Sequence, residues 1–286
     1  MVAAALERAH GWGPGSVEIV AVKTSGDRIQ DRPLAEVGGK AMWTKELDLA
    51  LLAGETDCSV HSMKDVESDR PESLQIAAML PRADVRDRLI GAASLAGLPH
   101  GARVGTSSPR RAAQLRRLRP DLELVSIRGN VDTRLAKCAA GEVDATLLAA
   151  AGLIRLGRED LGVALEPNEI LPPPSQGAIG IECRADDAVT AALLRTIDHG
   201  DTHQAVLAER AFCRALGGTC HSPVAAMARV EGCEIAFACE ILSEDGREHL
   251  VESARFPVGD LDAPADLARR MLAEAPPSIR SLFEGR

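Results

Sequence analysis

Along the first two thirds of the chain, short apolar runs alternate with longer segments whose apolar residues recur at helical spacing. Ser16 to Lys23 reads as a strand, and Asp57 to Val60 and Leu74 to Leu80 read as two more. Thr44 is placed to cap a helix that runs to Leu52, and Met1 to Arg8 reads as part of an earlier helix. A second block repeats the pattern. Arg103 to Gly105 is a short strand, and Ser108 and Pro109 then supply the cap and first position of a helix. Leu122 to Ile127, helical Val131 to Ala140, Ala145 to Leu148 and a helix around Leu153 complete that block. Alternation of this kind predicts βαβ units around mainly parallel sheets.

Leu171-Pro172-Pro173-Pro174 interrupts regular structure and marks a boundary or crossing. Gly177 to Cys183 resumes as a strand and Ala185 to Asp198 as a helix. Beyond them the pattern changes. A helix over Gln204 to Leu216 leads to Gly217-Gly218, three strand-like runs and two short helices, the order of an α+β domain.

Composition narrows the reading. With 286 residues, 45% of them hydrophobic, the chain can bury two or three cores. Two Trp, four Phe and no Tyr leave almost nothing for stacking nucleic-acid bases, and a net charge of -9 repels polyanions and anionic membranes. Seven cysteines at irregular spacing fit a reducing compartment better than a disulfide scaffold. Neither a signal peptide nor a membrane span is legible, so the expectation is a soluble cytoplasmic α/β protein.

Four segments carry candidate chemistry. His61-Ser62-Met63-Lys64-Asp65-Val66 follows an apolar strand, where residues of open α/β sheets face the ligand crevice. Lys64 beside Asp65 offers an anion-binding group and an acid/base group, although an ordinary surface ion pair fits those two residues equally well. Thr106-Ser107-Ser108-Pro109-Arg110-Arg111 opens a helix whose N–H groups attract anions. Two arginines at the positive end of a helix cost roughly 0.3–1 kcal/mol each unless an anion such as a carboxylate or phosphate compensates, and a solvated basic helix continued by Arg116, Arg117 and Arg119 is the equal alternative. Arg128-Gly129-Asn130, Arg134 and Arg155 add guanidinium groups near later strand-to-helix junctions, fit for a ligand bearing several carboxylates. Each, taken singly, also fits a solvated surface. Finally, Cys220 lies on the glycine-rich turn Gly217-Gly218-Thr219-Cys220, where a thiol is accessible and His221 can help ionise it, although a lone cysteine also fits an inert small hydrophobe. The spacing of His199 and His203 lacks the rest of a metal motif, and Gly38-Gly39-Lys40 lacks the rest of a phosphate loop.

In order, the pieces VGGK (Val37 to Lys40), KEL (Lys45 to Leu47), HSMKDV (His61 to Val66), VGTSSPRR (Val104 to Arg111), IRGNVDTRL (Ile127 to Leu135), AAAGLIRLG (Ala149 to Gly157), SQGAIGIECR (Ser175 to Arg184), AERA (Ala208 to Ala211) and GGTC (Gly217 to Cys220) resemble those of the hydroxymethylbilane synthase, or porphobilinogen deaminase, family. The likeness spans nearly the whole chain. It implies an α/β fold with two domains like the lobes of type II periplasmic binding proteins, residues 1–80 with 179–196 and residues 84–172, and a small C-terminal α+β domain over residues 200–286.

It also implies an activity: four porphobilinogen units joined into linear hydroxymethylbilane with release of ammonia, in tetrapyrrole synthesis. The cofactor is a dipyrromethane built from two porphobilinogen units and bound through a thioether to Cys220. Asp65 falls on the catalytic carboxylate, where it would protonate the leaving amine and stabilise the cation left behind. Lys64, Arg110, Arg111, Arg128 and Arg134 fall on cofactor-binding positions, with Ser62, Thr106, Ser107, Ser108, Gly129 and Gly177. Arg155, Asp27 and Trp43 fall on positions facing the substrate. The family implies a cytoplasmic monomer with no metal, nucleic-acid or membrane partner.

One departure is visible. Family members begin with a strand and a turn resembling (K/R)IGTRxSPLAxxQA ahead of the helix found here at Met1. Either the start is set too late or the chain is a truncated copy; as written, the first domain is expected to lack its first strand, to leave neighbouring backbone groups unpaired, and to fold or turn over poorly. The rival readings are a non-catalytic polycarboxylate- or anion-binding protein of the periplasmic type and an inactive truncated copy of the enzyme. A nucleic-acid module on the Pro109 helix is a third, disfavoured by the net acidity.

Overall fold

The computed structural model describes residues 1–24, 44–218 and 222–283. In chain order its elements begin with α1 (Val2–His10), α2 (Lys45–Leu52), β1 (Ser59–Ser62), β2 (Leu74–Met79), β3 (Asp87–Ile90), β4 (Arg103–Gly105), α3 (Pro109–Leu118), β5 (Glu123–Val125) and α4 (Val131–Ala139). There follow β6 (Ala145–Ala149), α5 (Ala150–Arg155), β7 (Val163–Leu165), β8 (Ile179–Arg184), α6 (Ala188–Arg195) and α7 (Gly200–Leu216). Strands β9 (Val224–Glu231), β10 (Glu234–Leu242) and β11 (His249–Pro257) precede α8 (Asp262–Glu274) and α9 (Pro277–Arg280).

The chain divides into two compact units, Met1–Arg82 with Ala178–Gln204 and Ala83–Gly177 with Ala205–Arg286. In the first, the strands lie in the order β1-β8-β2. Leu6 of α1, Ala78 and Ile181 of the sheet, and Leu194 of α6 share its core. Both ladders are antiparallel, with Ser59 opposite Glu182 and Leu74 opposite Arg184. The expectation of mainly parallel sheets fails here for a topological reason. β1 and β2 do run the same way, but β8 returns from a long excursion through the second unit and enters between them in the opposite direction.

The second unit holds two sheets. One, ordered β5-β4-β6-β3-β7, is parallel at β5-β4-β6 and antiparallel where β3 meets β6 and β7. Leu89, Val104, Leu115, Leu147 and Ile170 form its core. The other is an antiparallel meander, β11-β10-β9, over a core containing Phe212, Ile235, Phe237, Phe256 and Met271.

The helix starts explain themselves locally. Asn130 Oδ1 accepts from the Thr133 N–H at 2.9 Å, and the Asp187 carboxylate accepts from Thr190 N–H at 2.9 Å. Ser108 caps α3 more loosely, 3.4 Å from the Arg111 nitrogen. Thr44 does not cap α2. Its buried hydroxyl donates to Glu67 at 3.3 Å and accepts from Arg70 at 3.2 Å, because tertiary partners outcompete the helix end.

The strand expected over Ser16 to Lys23 is also not formed. None of the described strands pairs with it, and Ile19 and Val20 stay 81% and 54% exposed. Valine and isoleucine favour strands only where a ladder and a face to pack on are present.

Candidate active site

Asp65 stands on a single 3-10 turn, Met63–Asp65, that leaves the end of β1. Met63 anchors the turn. It is 1% exposed, and its N–H donates to Ala178 O at 3.1 Å. Gly180 makes room for it, since a Cβ there would come within 2.2 Å of the Met63 sulfur. Burying Met63 leaves its neighbours Lys64 and Asp65 directed away from that core. The Asp65 side chain keeps solvent access, yet the protein crowded around it raises its carboxyl above the ordinary value. The Lys64 charge and a hydrogen bond from Ser62 oppose that rise without cancelling it. A carboxyl so placed exchanges a proton nearer to neutrality than a solvated one.

Beneath the turn lies an ion-pair network that sequence reasoning missed. Arg70 grips Glu182 as a fork, Nε to Oε1 at 2.9 Å and Nη2 to Oε2 at 2.7 Å. Its Nη2 also donates to Asp48 at 2.6 Å. The buried His61 ring nitrogen Nε2 lies 3.3 Å from the same Glu182 carboxylate. Burial pushes the Glu182 carboxyl up, but His61 and Arg70 outweigh it and bring the value down to about 2.

In the second unit, Arg110 and Arg111 in the first turn of α3 both meet Asp87 at the start of β3. Arg111 donates to Asp87 from Nε at 3.0 Å and from Nη2 at 2.7 Å, and Arg110 donates from Nη2 at 2.7 Å. Gln176 adds a fourth hydrogen bond at 2.9 Å. The remaining guanidinium groups reach the carbonyls of Leu171 and Leu147 and the side chain of Gln114, which passes the contact on to Glu240 of β10 at 2.7 Å. Burial works against ionised Asp87, yet the two guanidinium charges hold its carboxyl far below the usual range. Burial also lowers the Arg110 guanidinium. The anion expected to compensate two cations at a helix start is thus an aspartate of the chain itself. Arg110 points inward and is 3% exposed, so its hydrogen bonds go to the protein rather than outward as the sequence suggested.

Arg134 stands differently. Its Nε donates to Gly129 O at 3.0 Å, and burial followed by the charges of Arg111 and Arg128 pushes it down to about 10. The Arg134 guanidinium thus feels those of Arg111 and Arg128, of which Arg111 has its own anion in Asp87. Gly129 permits this placement: its φ is 113°, and a Cβ would strike Thr133 at 2.6 Å. Thr106 Oγ1 accepts from Ser108 N–H at 3.1 Å, and Ser107 Oγ donates to Ile127 O at 2.7 Å, so these hydroxyls shape the turn before α3. Arg155, at the end of α5, is exposed and donates to Gly177 O at 3.0 Å. Gly177 takes φ 85° where a Cβ would lie 2.5 Å from Ala83 O.

Ser62, Lys64 and Asp65 thus share one turn of the first unit. Arg111, Arg128, Gly129 and Arg134 cluster in the second, beside Thr106, Ser107 and Ser108. Asp27, Trp43 and Cys220, with the Val37 to Lys40 piece, fall outside the described residues. Among the described residues no group of His, Cys, Asp and Glu is arranged to hold a metal, and no helix is long and apolar enough to cross a membrane.

Two family models match the chain. One, described as porphobilinogen deaminase, dipyromethane cofactor binding domain, matches residues 1–192. The other, porphobilinogen deaminase, C-terminal domain, matches residues 203–275. A porphobilinogen deaminase of Sphingopyxis alaskensis is 60% identical over 99% of this chain and 91% of its own length. One from Paracoccus denitrificans is 48% identical over 95% and 88%. Among solved structures, the second substrate binding domain of a putative amino acid ABC transporter from Streptococcus pneumoniae is similar at a TM-score of 0.42, with 13% identity over 76% of this chain and 82% of that one.

Proposed function

The chain belongs to the porphobilinogen deaminase family, and from that premise we propose how its own residues carry the reaction. The activity is the joining of porphobilinogen into linear hydroxymethylbilane with loss of ammonia, on a dipyrromethane cofactor. The match to a C-terminal domain model separates the chain from a two-lobed binding protein.

The observation that carries the assignment of residues is the arginine cluster. Arg134 is pushed down to about 10 by burial and by Arg111 and Arg128, so its charge is held at a loss that a bound carboxylate would recover. Pyrroles bearing acetate and propionate groups suit it. When bound, the dipyrromethane supplies the primer pyrrole onto which substrate units are added. Arg128 and Arg134 are assigned to its carboxylates, as are Lys64 and Ser62 of the first unit, and Arg111, already bound to Asp87 and Leu147 O, is assigned its part through that node. Arg110 contributes through the Asp87 node, Thr106, Ser107 and Ser108 through the turn they shape, and Gly129 and Gly177 through backbone that a side chain would obstruct. Arg155, Asp27 and Trp43 are assigned to the incoming porphobilinogen, and Cys220 to the covalent attachment.

Asp65 is assigned the proton work. Its raised carboxyl can give a proton to the departing amine, and the carboxylate that results faces the cation left on the substrate. The Lys64 charge works against that rise and favours the carboxylate form.

The separate cores around β4–β6 and around β9–β11 support reading the second unit as two domains, 84–172 and 200–286, beside a first domain of 1–80 with 179–196. Family analogy supports a cytoplasmic monomer acting on a small molecule, without nucleic acid or membrane. Intact mass tests the central assignment. Protein from a host that makes porphobilinogen should carry an adduct of two pyrrole units, absent in Cys220→Ala. A bare chain from such a host would overturn it.

A further inference from the structure

Asp65 performs its task from a single turn, and such a turn is only as fixed as its two flanks. On one side, His61 lies against Glu182, diagonally across the β1-β8 ladder where Gly180 is its direct partner. On the other side, Glu67 lies 3.5 Å from Arg70 Nη1. These two attachments converge, because Arg70 and Glu182 are themselves joined as a fork. The same guanidinium extends to α2 through Asp48 at 2.6 Å and the Thr44 hydroxyl at 3.2 Å. Arg70 is 10% exposed at its side chain and Glu182 1%, so water does not loosen the join.

From this geometry we propose that Arg70, paired with Glu182, is a positioning residue for the reaction: it fixes the Ser62–Asp65 turn by holding both of its flanks and tying them to α2. Arg70 touches no reacting atom. Arginine suits the task because its planar fork reaches several carboxylates at once, which a lysine ammonium does not match. Displacement of a catalytic group by about 1 Å can lower a rate by roughly a hundredfold. The inference rests on the assignment of Asp65 to the chemistry.

The test is steady-state turnover of porphobilinogen by Arg70→Met and Arg70→Lys, with kcat expressed per folded, cofactor-loaded molecule counted by intact mass. Arg70→Met is expected to lower kcat roughly tenfold to a hundredfold with KM changed by less than about threefold. Arg70→Lys should recover part of that loss. A merely structural arginine would lower the thermal midpoint and the loaded fraction while leaving kcat per loaded molecule at the parent value, and that outcome overturns the proposal. So does a rise in KM alone. If Arg70→Met does not fold, Asp48→Asn, which weakens one arm of the network, must lower kcat severalfold at unchanged KM, and an unchanged kcat refutes the idea. Asp65→Ala assayed alongside separates the two readings. Retained turnover there defeats the role of Asp65, whereas a dead Asp65→Ala beside a fully active Arg70→Met defeats only the role of Arg70.

Discussion

Asp87 meets Arg111 with both carboxylate oxygens, Nε lying 3.0 Å from Oδ2 and Nη2 2.7 Å from Oδ1. Arg110 and Gln176 complete the coordination, so a wholly buried aspartate is satisfied on every side. Removing it strands two buried guanidinium groups. Asp87→Ala is expected to destabilise the chain by about 3–5 kcal/mol in equilibrium urea unfolding, the usual penalty for one lost member of a buried ion pair. A loss below about 1 kcal/mol would show that the arginines find other partners. The pH dependence has a definite sign. Because the folded carboxyl is held far below its ordinary value, its stabilisation is fully present above about pH 4 and fades only as pH falls through the depressed value. Asp87→Asn should therefore narrow the stability gap to the parent as the medium is made strongly acidic.

The carboxyl of Asp65 is shifted the other way. Crowding favours its protonated form, so stability should decline as pH climbs from the ordinary carboxylate range through the elevated value. Asp65→Asn removes the ionisation. It should abolish turnover, keep the dipyrromethane adduct, and unfold at a higher urea midpoint than the parent at neutral pH. A lower midpoint would mean that the carboxylate is stabilised where it stands.

Such pairings explain what could be read from the chain alone and what could not. Ser108 was legible as a helix cap because a cap and its target N–H lie three residues apart. The Ser62–Asp65 turn was legible because it follows an apolar strand. Asp87 was not, since its partner Arg110 is 23 residues away, and Arg70 and Glu182 are separated by 112. No local pattern marks a carboxylate that meets its arginine only after the chain has folded. The direction of β8 was hidden for the same reason, being set by where the excursion re-enters rather than by any residue within the strand.

Arg134 should display a trade between stability and activity. In a Cys220→Ala background, which carries no adduct, Arg134→Gln relieves repulsion from Arg111 and Arg128 and should leave the thermal midpoint unchanged or raised. In the loaded chain the same change should slow elongation, seen as altered proportions of the enzyme-bound intermediates by mass. Clear destabilisation of the Cys220→Ala chain by Arg134→Gln would place a stabilising partner at that guanidinium.

Glu209 of α7 accepts the N–H groups of Ser175 and Ala228, both at 2.6 Å, and is itself fully buried. Ser175 has the positive φ of 65° that few side chains tolerate, and this bond is one of the contacts that hold it there. Glu209→Gln turns an acceptor pair into an amide facing two donors and should lower stability by about 1–3 kcal/mol. Calorimetry that registers no change would show the amide to be accommodated by rotation.

The position of β8 between β1 and β2 has a consequence for how the protein is made. During synthesis, β1 and β2 emerge early, yet the strand that unites them appears only when the ribosome has reached Arg184. Among the described residues neither has another strand to pair with until then, and the contacts with β8 span a long stretch of chain, which makes closure slow and the waiting strands prone to sticking to other chains. Nascent chains arrested before Ile179 should accordingly lean on chaperones far more than those released beyond α6.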